Sequence, residues 1–125
     1  MIIIPIGIQC SVAAFKNGIT ETPTLPFDWM FTNPKFVFEM LVLLLEKNIN
    51  IEILVKNHFF YCTKRAHIND IEHYYTCDNG YALYNTKYNV IFPHDNNSIE
   101  TINKYIRRFE RLKDIILNST EDLYF

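Results

Sequence analysis

The sequence predicts a single small domain of the α/β or α+β class, and three observations carry that reading. A β-branched run opens the chain, a nearly all-apolar helical stretch follows a proline-rich loop, and a long amphipathic pattern precedes the last residues. Between them lie short aromatic segments broken by turn residues. At 125 residues, with 49% hydrophobic and 21% charged, the chain has the balance of one folded unit, residues 1–125.

Taken in order, Ile2-Ile3-Ile4-Pro5-Ile6 reads as a buried strand, because a continuous β-branched run suits a strand covered on both faces. Pro5 cannot donate to a ladder and favours an edge or a strand end. Gly7 marks a turn. A helix then starts at Cys10 or Ser11 and runs to about Lys16, where Asn17 and Gly18 stop it.

The stretch TETPTLPFDWMFTNP, residues 20 to 34, carries three prolines and is too aromatic for a flexible linker, so it reads as an ordered loop. Thr32 or Asn33 caps the next helix, with Pro34 in its first position. That helix, KFVFEMLVLLLEKN, is apolar almost all round and is expected to be largely buried. From 49 to 92, the pieces IEILV, HFFYC, HYYTC, YALYN and YNVIF predict two or three central antiparallel strands.

The clearest pattern comes last. Asn97 with Glu100 resembles a capping box. Ile99, Ile102, Ile106, Phe109, Leu112 and Ile116 recur at helical spacing, with Lys104, Arg107, Arg108 and Arg111 mostly opposite. EDLYF then reads as a strand that either closes the sheet or belongs to a domain continuing beyond Phe125.

Charge narrows the function classes. A formal net charge of −2 and a pI near 6.0 give no basic field for nucleic acid or anionic lipid, so neither nucleic acid nor membrane is an expected partner. Three cysteines cannot all pair within the chain, which points to a reducing compartment. MIIIPIGI is too short to span a bilayer and lacks a basic start. A soluble, cytoplasmic protein is expected, and the N-x-[ST] matches at Asn96 and Asn118 then carry no meaning.

Cys10 stands where a turn meets a helix start. Unpaired backbone N–H groups and the positive helix end favour thiolate over thiol there, and the same N–H groups suit an oxyanion. A buried small hydrophobe would occupy the position equally well. A thiol nucleophile needs a base, usually histidine, oriented by a third group. His94 in YNVIFPHDNN follows an apolar strand and a proline, at the rim where sites are built, although a solvated turn histidine fits too. Asp28, inside LPFDWMF, is expected to be buried and to need a partner, whether backbone N–H, arginine or histidine. Asp95 is adjacent to His94, but neighbours on an extended chain point to opposite sides.

Two other constellations are weaker. Cys62, His67, His73 and Cys77 lie within sixteen residues, yet the spacing lacks a C-x2-C knuckle, so no metal or other cofactor is expected. Arg107, Arg108 and Arg111 suit a phosphate or sulfate, or simply a solvated face.

PIGIQCSVA, PFDWMFTNP, IFPHD and YIRRFERLKDII, in this order, resemble a domain-of-unknown-function family that is described as papain-like cysteine peptidase and found in bacteria and large DNA viruses, over nearly the whole chain. The resemblance implies a cysteine hydrolase with Cys10 as nucleophile and His94 as its base. Asp28 is the candidate to orient the imidazole, and Gln9, Ser11 and Asp95 are candidates for oxyanion and supporting roles. Gln9 adjoins the cysteine, whereas papain-like sites place an oxyanion-hole glutamine several residues earlier. The implied partner is a peptide or protein substrate, in the host cytoplasm if the chain is viral.

Two other classes fit the same residues. A transferase-like α/β domain would hold an anionic or nucleotide-linked donor at the turn GIQC. A non-catalytic protein binding a host partner would present Tyr74, Tyr75, Tyr81 and Tyr84.

Overall fold

The computed structural model describes residues 2–4, 24–28, 30, 32–60, 63–67, 81–92, 95 and 98–124. Within these the architecture mixes helices and short strands, with helices dominating. In chain order they are strand β1 (Ile2–Ile3), helix α1 (Pro34–Leu41), helix α2 (Ile51–Ile53), strands β2 (Thr63–His67), β3 (Tyr81–Asn85) and β4 (Val90–Phe92), helix α3 (Ile99–Asn118) and strand β5 (Leu123–Tyr124). β1 pairs with β5 in parallel, joining the two extremes of the described sequence. β2, β3 and β4 form an antiparallel sheet in that order, with Leu83 opposite Phe92 and Asn85 opposite Val90. The helix expected after Gly7 lies outside the described residues.

α1 starts as its sequence dictates. Asn33 is the cap, its Oδ1 accepting from the Phe36 N–H at 2.9 Å, and Pro34 follows where its missing N–H is harmless. The helix then widens into π-helical Val42–Glu46, closed by the Lys47 N–H on the Val42 carbonyl. Asn48 turns left-handed at φ 50° and the Ile49 N–H reaches back to the Leu43 carbonyl, which satisfies carbonyls the helix end would otherwise leave open. The all-round burial expected here is only half met. Phe36, Val37, Met40 and Leu44 are buried, whereas Phe38 is 68% exposed.

The segment IEILV is not a strand, and neither is the start of HFFYC: Ile51–Ile53 is α-helical and Leu54–Phe59 continues it as a π-helix, while Tyr61 and Cys62 lie outside the described residues. The physical reason is visible in the side chains. Within the helical residues 51–59, Ile51, Leu54, Val55, His58 and Phe59 are the more buried positions, spaced by 3 and 4 rather than by 2. Asn50 caps the start by accepting from the Ile53 N–H at 3.2 Å, and Lys56 pairs with Glu52 one turn back at 2.7 Å. That pairing holds the Glu52 carboxyl below its ordinary pKa.

α3 has the predicted length, but its details shift. The cap is Ser98, whose Oγ accepts from the Thr101 N–H at 3.2 Å, so the Asn97–Glu100 capping box is not the one used. The buried positions are Thr101, Tyr105, Phe109 and Leu112; Ile102, Ile106 and Ile116 flank them, and Ile99 is 59% exposed. The stripe is thus centred on Tyr105 rather than on the isoleucines.

The core is aromatic. Phe59 lies at its middle, with ring centroids 4.9–6.4 Å from Phe27, Phe36, Phe60, Phe92, Tyr105 and Phe109. Most of these contacts are tilted or edge-on, as ring quadrupoles prefer. Asn85, fully buried, ties this core to the hairpin. Its Nδ2 donates to the Phe59 carbonyl at 3.0 Å, and its Oδ1 accepts from the Lys87 and Tyr88 N–H groups, which folds the turn 86–89.

Candidate functional site

Of the sequence-nominated site residues, Asp28 and Asp95 fall among the described residues. Cys10, Gln9, Ser11 and His94 lie outside them, as do Cys62, His73, Cys77, Tyr74 and Tyr75.

Asp28 occupies a tight turn that begins at Leu25 and has Pro26 in its second position, a favourable place for proline. The Asp28 N–H donates to the Leu25 carbonyl at 3.2 Å, and Asp28 Oδ2 accepts from the Leu25 N–H at 3.1 Å. The carboxylate is 1% exposed, among Leu25 and Phe27, which are equally buried. The Leu25 N–H on Oδ2 offsets part of the cost of burying this polar group. Phe27 seats the turn in the core, edge-on to Phe36 and Phe109. Arg111 Nη1 fastens its entrance by donating to the Thr24 carbonyl at 2.6 Å.

Asp95 follows β4. Its N–H lies 3.5 Å from the Phe92 carbonyl, and its side chain is 1% exposed. Both carboxylate oxygens are taken by α3: Oδ1 by Lys104 Nζ, and Oδ2 by the Tyr105 hydroxyl at 2.5 Å. Tyr105 is fully buried, its ring against Phe59, Phe60 and Phe92, with the Lys104 ammonium and the Arg108 guanidinium about its face at 5.2 and 5.0 Å.

One helix therefore grips both loops. Lys104 and Arg111 are seven residues apart, two turns along one face of α3, or about 10 Å at 1.5 Å per residue. The sequence pattern missed this. Lys104 and Arg111 read as members of a polar face, and Tyr105 sat one step off the isoleucine stripe. The available signal was a tyrosine four residues before Phe109, at helical spacing to it, since a buried hydroxyl needs a partner.

Other candidates carry less. His67 ends β2, opposite Tyr81, and among the described residues no group of three metal-ligating side chains converges. Arg107 stays exposed. A surface depression of about 250 Å³ is lined by Glu110, Lys113, Asp114, Leu117 and Asn118, all from α3, with no thiol or imidazole among them. No helix among the described residues is long and apolar enough to cross a membrane.

A family profile described as "putative papain-like cysteine peptidase" aligns with residues 2–125. No curated protein and no solved structure matches the chain. The profile takes in the Asp28 turn, the β4 exit and the helix that binds them, and on that extent of agreement the chain belongs to the family so described.

Proposed function

We propose that the chain is a cysteine hydrolase acting on a peptide, isopeptide or other amide or thioester bond. The family match over residues 2–125 is the observation that carries this reading. In the proposed reaction His94 takes the Cys10 proton and the thiolate attacks the acyl carbon. The oxyanion is met by backbone N–H groups at residues 10 and 11, flanked by Gln9 and Ser11. Collapse breaks the bond to the leaving amine or thiol, which receives the proton from His94 and leaves a Cys10 thioester. Water, activated by the same imidazole, then releases the acid and the free thiol.

Asp28 is the proposed orienting carboxylate. It is buried with one oxygen already fixed, so its position is set before any imidazole arrives. Asp95, the sequence neighbour of His94, is assigned a supporting role. The substrate is a peptide or protein, and a reducing cytoplasm keeps the thiol available.

Alkylation with iodoacetamide across a pH series tests the reading, with Cys62 and Cys77 as internal references. Cys10 is expected to react with a midpoint well below the ordinary thiol value of about 8.5. A Cys10 that titrates like the other two would remove the activated nucleophile and the hydrolase with it.

A further inference from the structure

We infer that Lys104, Tyr105 and Arg111 are positioning residues, and that α3 acts as a spacer between the Asp28 turn, held at Thr24, and Asp95. The inference rests on the Cys10–His94 reading, since it concerns how the loops of that site are held.

The clamps differ from ordinary surface contacts. Asp95 is a nearly sealed carboxylate, and α3 supplies partners for both of its oxygens from adjacent positions. Tyr105 is itself immobilised by three rings. Arg111 instead captures a backbone carbonyl, so it fixes the chain path at Thr24, four residues before Asp28. A helix is stiff along its axis, so two grips on one face convert its rise per residue into a loop-to-loop distance. Backbone hydrogen bonds inside each loop set only the shape of that loop. The core relates the two segments loosely, through Phe27 and Phe92 on Phe59, and the grips on α3 add directional polar contacts from one stiff element.

Positioning of this kind matters for proton transfer. Misplacing a group by about 1 Å can lower a rate about a hundredfold. The nearest residue to the Asp95 clamp that carries chemistry is His94, its sequence neighbour, which makes the clamp the shortest mechanical link between α3 and the proposed base.

The test measures Cys10 alkylation against pH in the full chain, by peptide mass spectrometry, alongside thermal unfolding. Tyr105→Phe removes only the hydroxyl and keeps the packed ring; Lys104→Met removes the charge at a side chain that is 33% exposed. Each is expected to slow Cys10 alkylation at neutral pH by about 10- to 100-fold and to raise its midpoint towards about 8.5. Unfolding should remain a single transition, and Lys104→Arg should restore the wild-type profile. Arg111→Met should act in the same direction. If His94→Gln slows Cys10 while Tyr105→Phe and Lys104→Met leave its pH profile unchanged, the spacer role is wrong and the Cys10–His94 pair stands. If His94→Gln also changes nothing, the pair itself falls, and the spacer role goes with it. Should Tyr105→Phe fail to fold, Lys104→Met decides.

Discussion

The Asn33 amide nitrogen donates to the Tyr88 carbonyl at 2.7 Å, across 55 positions of sequence. The other end of the same side chain caps α1 through the Phe36 N–H. One asparagine thus starts a helix and fastens the β3–β4 turn to it.

Serine and alanine separate these two roles. Asn33→Ser keeps a good cap but cannot reach Tyr88, and it should lose about 1 kcal/mol. Asn33→Ala loses both contacts and should cost about 2–3 kcal/mol. Urea unfolding midpoints of the three proteins check the order, and equal losses for both variants would show that the Tyr88 bond contributes nothing.

This pairing illustrates what a sequence exposes. The Asn33-Pro34 start of α1 was legible because capping is local. So was the extent of α3, since twenty residues of 3-and-4 spacing have few alternatives. The helix through Ile51–Ile53 was hidden by composition. Ile51, Ile53 and Val55 are β-branched and favour strands by type, but burial followed their spacing instead. The Asn85–Phe59 and Arg111–Thr24 bonds had no local signal at all, spanning 26 and 87 positions. Of the site, the burial of Asp28 followed from its aromatic neighbours, whereas the partners of Asp95 depended on which way α3 faces.

Phe59 should be the most sensitive apolar position among the described residues, because six other rings rest on it. Truncation in Phe59→Ala should cost about 3–5 kcal/mol, while Phe59→Leu, which refills much of the volume, should cost about 1–2 kcal/mol. Chemical denaturation gives both values. A Phe59→Ala loss below that of Phe59→Leu would contradict the packing described.

Tyr88 carries a pH dependence. Burial, then the hydrogen bond to Glu39 and the charge of that carboxylate, push its phenol from the ordinary 10.0 up to about 12. The folded state therefore favours the neutral phenol. Its contribution to stability is complete below pH 10 and is lost as pH rises through about 12. Phenolate absorbance should show a late-titrating component that disappears in Tyr88→Phe. Glu39→Gln should bring its midpoint down, because the carboxylate charge is gone, and Tyr88→Phe should flatten the stability change above pH 10. An unchanged midpoint in Glu39→Gln would leave burial as the sole cause.

Asp28 can be a carboxylate that merely pins its turn, or one that also holds an imidazole, and Asp28→Asn separates these. The amide oxygen can still accept from the Leu25 N–H, so the turn keeps its bond and the melting temperature should fall only slightly. The amide cannot stabilise a positively charged imidazole, and in a triad such a change disturbs the tautomer of the base without moving it. Cys10 alkylation at neutral pH should therefore drop by about tenfold or more, while Cys62 and Cys77 react as before. Asp28→Ala should lose both reactivity and stability, since the Leu25 N–H is then left without its acceptor. An Asp28→Asn protein with native Cys10 reactivity would confine this carboxylate to the turn, and the search for the orienting group would move elsewhere in the chain.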